Sequence, residues 1–193
     1  MAIVLATTAL WISLGVLAAL LVALIAGAFL LLAMGRLHLD LGWGRSIHPL
    51  GPITIGIDAP REIVFEILAA PYVGRARAEG IDVLAGDGRL AVAAHHTKVH
   101  FYTARTVEVI ELEEPTRIGF RHLTGPVPHA VEEFLLTEKD GRTELHYTGE
   151  IGIDFFVLGR IAGRRWVRPQ WERTVRAHLE DVKERAEQRS ARR

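Results

Sequence analysis

Apolar side chains run from Ala2 to Met34 without a single charge, and beyond Gly35 the pattern breaks into short alternating stretches before ending in one long helical stripe. The stretch from Val16 to Met34 is long enough by itself to cross a bilayer, since about 20 apolar residues suffice as a helix. A secretory signal would open with basic residues and carry a shorter apolar run; here no Lys or Arg precedes Arg36. A helix buried inside a protein is rarely apolar on every face over such a length. Residues 1–35 are therefore expected to form one transmembrane helix, with residues 2–8 extending past the hydrocarbon or adding tilt.

Residues 36–52 contain Gly42, Gly44, Gly51, Pro49 and Pro52, a composition that reads as a short juxtamembrane linker. The folded domain is expected over residues 53–193. Residues 53–58 alternate as a strand with one buried face. Pro60 suits the first turn of a helix reaching Ala70, with Val64, Phe65, Ile67 and Leu68 as its apolar stripe. Residues 73–79 read as irregular or as a second brief helix. Strands are predicted at 81–84, 90–97, 103–112, 117–123, 131–137 and 143–153. They are separated by turn residues such as Gly86-Asp87-Gly88, Glu114-Pro115 and Asp140-Gly141. Strands joined by short turns are antiparallel. Val167, Trp171, Val175, His178 or Leu179, Val182 and Ala186 then recur at helical spacing, and Pro169 marks the start of the long helix. Residues 156–165 precede it as a turn or a kinked helical piece. The fold class is α+β: about seven curved antiparallel strands whose buried face is covered by one long C-terminal helix.

Charge changes this picture in one respect. The net charge is zero, yet residues 35–156 hold 12 Lys/Arg against 18 Asp/Glu, and residues 157–193 hold 11 against 5. A basic C-terminal element thus sits on an acidic domain, which suits self-complementary docking better than recruitment to anionic lipid. Arg36 and Arg45 lie only on the C-terminal side of the apolar run, so the positive-inside tendency puts the soluble domain in the cytoplasm, below a single-pass cell-membrane anchor. With no cysteine, disulfides, thiolate nucleophiles and zinc–thiolate sites are excluded.

The segment Ile55-Gly-Ile-Asp-Ala-Pro-Arg-Glu-Ile-Val-Phe-Glu-Ile-Leu68, the strand–proline–strand run through Glu113-Glu-Pro-Thr-Arg-Ile-Gly-Phe120 and the hairpin Asp140-Gly-Arg-Thr-Glu-Leu145 resemble the SRPBCC superfamily. This is the START/Bet v 1-like helix-grip fold, in its polyketide cyclase/dehydrase flavour. The resemblance covers residues 53–187. It implies an apolar cavity for lipids, polyketides, quinones or similar hydrophobic molecules, without a shared catalytic motif to transfer.

Alternation places Ile118, Phe120 and His122 on one strand face, Phe134 and Leu136 on another, and Leu145, Tyr147 and Ile151 on a third. Phe120, His122, Phe134 and Tyr147 are therefore expected to face the interior, with Trp166 and Trp171 closing over them from the helix. His122 and Tyr147 are the candidates for hydrogen bonding a ligand or moving a proton, against the plainer role of satisfying backbone groups. His95 and His96 point to opposite faces of a strand and cannot readily share a metal ion; His100 and His146 do not complete a set, and all read as solvated. Arg121 and Glu133 are placed to pair across strands. No cofactor is expected, Gly-x-Ser-x-Gly and phosphate-loop motifs are absent, and the basic helix lacks the aromatic interleaving of a nucleic-acid binder.

Three readings stand at this point. The favoured one is membrane-tethered binding or carriage of an apolar small molecule. The alternatives are a cyclase or dehydratase using His122 or Tyr147, and a non-catalytic interaction scaffold at the membrane.

Overall fold

The computed structural model describes residues 2–74, 79–99 and 102–192. His100 and most of the 73–79 connection lie outside the described residues. Helix α1 (Ala2–Ala33) leads to β1 (Ser46–Ile57), α2 (Arg61–Ala69) and six further strands: β2 (Ile81–Gly86), β3 (Leu90–Val99), β4 (Tyr102–Glu113), β5 (Arg117–Thr124), β6 (His129–Lys139) and β7 (Arg142–Ile153). The chain ends in α3 (Phe156–Ala162), a π-helical turn (Gly163–Val167) and α4 (Arg168–Ser190). The sheet is a single antiparallel surface in the order β1-β7-β6-β5-β4-β3-β2, so the first strand pairs with the last. This is the helix-grip arrangement expected.

Two boundaries move for physical reasons. The strand β1 begins at Ser46, inside the segment whose glycines and prolines read as linker. Because β1 is an edge strand, Pro49 and Pro52 remove no hydrogen bond that a neighbour requires, and Gly51 sits at the register shift between Leu50 and Ile53. At the other end, α3 and α4 are separate helices joined by the π-helical turn.

The concave face carries the core. Ile57, Ile110, Ile118, Leu136, Leu145 and Ile151 are all but inaccessible, each from the alternate positions of its strand. Val175, Leu179, Val182 and Ala186 of α4 are buried at the spacing of one helical face, and α4 packs against β1 and α2. The opposite face is held by charge: Arg117 reaches Glu111 at 2.9 Å, Glu113 at 2.8 Å and Glu133 at 3.4 Å. Glu133 therefore pairs with Arg117 and not with Arg121, because Arg117's fork already converges on the two β4 carboxylates beside it. The basic C-terminus docks as the charge asymmetry implies, with Arg189 paired to Glu66 of α2.

Helix α1 has no buried residue over Ala9–Ala33, a stretch long and apolar enough to cross a membrane. It meets the domain at Met34, whose carbonyl accepts the Arg105 amide at 2.9 Å. Gly35 ends the helix with φ +66°, and its α-carbon lies so close to the Arg105 carbonyl that a Cβ there would collide with that oxygen. The linker then crosses to Asp154 at the end of β7. The Asp154 carboxylate accepts from the amides of Leu41 and Gly42, both at 3.0 Å, and from Arg45 Nε at 2.7 Å.

The α4 stripe is expected to dominate stability. Leu179→Ala should lower the unfolding free energy by about 2–5 kcal/mol, read by urea denaturation of the detergent-solubilised chain, while Glu180→Ala on the solvent side should change it little.

Candidate functional site

The site forms where the alternation of five strands delivers aromatic and titratable side chains to the same concave face. On β4 the buried positions are Ala104, Thr106, Glu108, Ile110 and Leu112, so Glu108 falls in an otherwise apolar row. Its cross-strand neighbour is His122 on β5, and Thr106 stands opposite His95 on β3. On β6 the inward row is Ala130, Glu132, Phe134 and Leu136, with Glu132 opposite Phe120 and Phe134 opposite Tyr147.

Aromatic rings link these strands into a belt. Tyr72, from the segment after α2, stacks on His95 at 5.7 Å between ring centres and meets Phe120 edge-on at 5.7 Å. Phe120 meets Phe134 at 5.6 Å, and Phe134 meets Tyr147 at 5.2 Å. From α4, Trp171 lies 5.3 Å from the His122 ring and His178 lies 6.4 Å from Phe134. Such pairs contribute about 0.5–1.5 kcal/mol each beyond their buried area. His178 thus reaches the edge of this belt while part of its side chain stays exposed.

Two acids punctuate the belt in contrasting surroundings. Glu108 accepts the Thr106 hydroxyl at 2.9 Å; His122 Nε2 lies 2.9 Å from the same carboxylate and His95 Nε2 3.9 Å from it. Burial alone would push the Glu108 carboxyl up, but the two imidazoles and the hydroxyl outweigh it and hold the group below its ordinary range. Glu132 has no imidazole in ion-pair range among the described residues. Its Oε1 accepts the Tyr147 hydroxyl at 2.5 Å and the Trp171 indole N–H at 2.7 Å, and burial pushes its carboxyl up despite both donors. Burial also raises the Tyr147 hydroxyl, with Glu132 adding to the effect, and lowers His95.

The hydrogen-bond inventory is incomplete in one place. The His122 side chain is nearly inaccessible, and neither ring nitrogen makes a well-directed hydrogen bond; Nε2 sits in ion-pair range of Glu108 but off the bonding direction. His95 Nε2 is likewise buried without a hydrogen bond. Buried polar atoms are normally satisfied, so two unpaired imidazoles on one face are the kind of exception that a bound polar group resolves. The arrangement offers an anionic acceptor at Glu108, a carboxyl pushed toward protonation at Glu132, and imidazole nitrogens between them. Among the described residues no group of three His, Asp or Glu side chains is arranged to hold a metal ion.

Of the residues singled out from sequence, Phe120, His122, Phe134, Tyr147 and Trp171 come together here. Trp166 does not: it is 64 % exposed on the π-helical turn. The turn carries its own residues away from the α4 stripe that holds Trp171. His95 is also not the solvated strand residue that its neighbour His96 is; it is packed under Tyr72, while His96 faces outward to Asp82 at 3.1 Å. Glu108, Glu132 and Tyr72 were not singled out as site residues in the sequence, although both acids occupy the same alternating positions as their apolar neighbours.

The two acids should leave opposite signatures in pH-dependent stability. A carboxyl raised by folding stabilises the fold only below its unfolded value of about 4.3 and loses that contribution as pH rises; a depressed one contributes above that value and loses it as pH falls. Relative to wild type, Glu132→Gln should gain stability as pH rises above about 4.3, whereas Glu108→Gln should lose stability as pH rises toward about 4.3 from below and stay level above it. Thermal unfolding followed from about pH 3 to 7.5 checks this, and a Glu108→Gln difference that shrinks as pH rises, or a Glu132→Gln difference that shrinks above about 4.3, would contradict the assignment.

Comparison with known proteins agrees with this architecture. The fold resembles the protein TTHA0849 from Thermus thermophilus, with 18 % identity, a TM-score of 0.60, and coverage of 72 % of this chain and 97 % of that one. It also resembles the di-domain ARO/CYC protein BexL of the BE-7585A biosynthetic pathway, with 22 % identity and a TM-score of 0.61 over 75 % of this chain but only 50 % of BexL. A START superfamily protein from Mycobacterium smegmatis aligns at 15 % identity and a TM-score of 0.50, over 76 % of this chain and 97 % of that one. At these identities the likeness is one of fold. No curated protein matches the sequence. The family described as "Polyketide cyclase / dehydrase and lipid transport" matches residues 53–187, nearly the whole of the strands and helices that build this belt, and the chain belongs to that family.

Proposed function

We propose that the domain binds and carries an apolar small molecule with at least one polar group, and that α1 tethers it to the membrane from which that molecule is drawn. The observation that carries this reading is the pair of buried imidazoles, His122 and His95, that lie in range of Glu108 without a well-directed hydrogen bond and are set in an aromatic belt. An apolar body would lie against Phe120, Phe134 and Trp171, and a hydroxyl or carbonyl would meet His122, His95 or Glu108. This suits a lipid, quinone or polyketide-like molecule better than a pure hydrocarbon. The tether is supported by the exposed, uncharged α1 and by the shortness of the connection after it. The basic residues Arg36 and Arg45 on the domain side favour a cytoplasmic domain on a single-pass anchor.

The contrast between the two acids supports a second reading. A carboxylate held ionised beside His122, and a carboxyl pushed toward protonation against Tyr147, resemble the division between base and acid that cyclisation or dehydration of a hydrophobic substrate needs. In that reading His122 backed by Glu108 takes the proton, and Tyr147 backed by Glu132 polarises or protonates the substrate oxygen. The binding reading comes first because it asks only for the unpaired nitrogens to be met.

Native mass spectrometry of the full chain in nanodiscs, with solvent extraction of the same sample, tests the proposal. A stoichiometric apolar molecule is expected to co-purify, and Phe120→Ala should weaken its retention about tenfold, the equivalent of roughly 1.4 kcal/mol. A chain that holds nothing and takes up nothing from a membrane extract would overturn it. If the molecule leaves chemically changed and His122→Ala or Tyr147→Phe abolishes the change while retaining binding, the enzymatic reading takes its place.

A further inference from the structure

The segment formed by α3 and the π-helical turn is built inside out for a protein surrounded by water. Its inward face is glycine: a Cβ on Gly159 would collide with the Asp154 carbonyl oxygen, and one on Gly163 would collide with the His48 ring. These contacts leave no room for side chains, so the large apolar ones are turned outward. Leu158 is 74 % exposed, Trp166 64 % and Ile161 47 %, with Phe156 and Val157 beside them. An ordinary surface helix does the reverse.

The backbone is strained to achieve this. Phe155 and Phe156 both adopt left-handed conformations, φ 76° and 49°, which bulky residues rarely do. They are held there by the linker: the Phe155 amide bonds the Trp43 carbonyl at 2.9 Å, the Phe156 amide bonds the Gly44 carbonyl at 3.0 Å, and the Trp43 and Phe156 rings meet edge-on at 5.5 Å. Trp43 is itself 63 % exposed.

Charge completes the pattern. Arg160, Arg164 and Arg165 are exposed among these apolar groups, and among the described residues none of the three has a carboxylate partner. This differs from the arginines of the domain proper, such as Arg45, Arg117 and Arg189, which are paired. Only eight residue steps lead from the end of α1 at Ala33 to Leu41, where the linker reaches the Asp154 carboxylate. Even fully extended they span about 28 Å, so α3 cannot lie far from the point where α1 leaves the bilayer.

We propose that α3 and the π-helical turn form a foot that lies in the surface of an anionic bilayer, with Leu158, Ile161 and Trp166 in the headgroup–acyl boundary and Arg160, Arg164 and Arg165 on lipid phosphates. Apolar side chains with tryptophan on one side and unpaired arginines around them are what an interfacial element requires. This inference rests on the proposed tether and deepens it: the domain is held by a second contact and so presents one fixed end to the membrane.

Because the chain has no cysteine, single nitroxide labels can be placed on the full-length protein without other changes. Labels at Leu158→Cys, Trp166→Cys, Leu20→Cys in α1 and Glu138→Cys at the far end of β6 would be read in nanodiscs for oxygen against water-soluble nickel-complex accessibility. With nanodiscs containing phosphatidylglycerol, labels 158 and 166 should read depths of about 5–10 Å below the headgroup boundary, label 20 deeper still, and label 138 in water. Charge reversal at Arg160, Arg164 and Arg165, or pure phosphatidylcholine, should bring labels 158 and 166 toward the surface and leave label 20 in place. If labels 158 and 166 match label 138 while label 20 remains deep, the foot is refuted and the tether stands. If label 20 also reads as water, the tether itself has failed. Labels 158 and 166 shielded from both reagents would mean a protein partner, which likewise overturns the proposal.

Discussion

The Asp154 carboxylate is the contact through which the two halves of this chain are joined. It is almost inaccessible, lies at the end of the last strand, and takes hydrogen bonds from two linker amides and from Arg45. The guanidinium of Arg45 keeps its carboxyl below the ordinary range, so the group stays ionised where it is needed. A buried charge of this kind tolerates no vacancy among its partners. Satisfying it draws the linker onto the domain, sets Ser46 opposite Ile153 to start the sheet, and forces the chain beyond β7 into the left-handed turn that launches α3. The position of the anchor, the register of β1 and the direction of α3 all follow from it.

The concave face shows how one fold can hold two like groups in unlike states. Glu108 and Glu132 reach that face by the same alternation, on strands separated only by β5. One meets imidazoles and a hydroxyl; the other meets a phenol and an indole. The first environment favours charge and the second discourages it, and the rings of Phe120 and His122 stand between them. A molecule bound across this face would meet an acceptor at one point and a donor-capable carboxyl at another, with aromatic surface between. That asymmetry gives the belt a direction as well as an affinity.

Much of this was legible in the alternation of the strands. Apolar residues at every second position predicted the six strands from Ile81 to Ile153 to within a few residues, and the same rule set His122 and Tyr147 inward. It failed where a polar residue occupied an apolar slot. Glu108 and Glu132 drew no attention because acids are seldom buried, although their positions in the rows were as informative as those of Ile110 and Phe134. His95 was paired in thought with His96 and lost with it. The start of β1 was hidden by Pro49 and Pro52, which only an edge strand accommodates. Trp166 was grouped with Trp171 although it falls before the helix start at Pro169, and the π-helical turn that carries it has no signature in hydrophobic period.

The pairing of β1 with β7 also sets the order in which this protein can be made. Ser46 finds its partner only at Ile153, so the opening strand leaves the ribosome with one of its backbone edges unmatched until more than a hundred further residues have been synthesised. At about 5–20 residues per second that interval is roughly 5–20 s. Such distant closure gives the sheet a high contact order and slow assembly, with strand edges open to wrong neighbours meanwhile. Moored in a bilayer by α1 as proposed, the chain would spend those seconds diffusing in two dimensions, apart from most of the nascent chains with which it would otherwise aggregate.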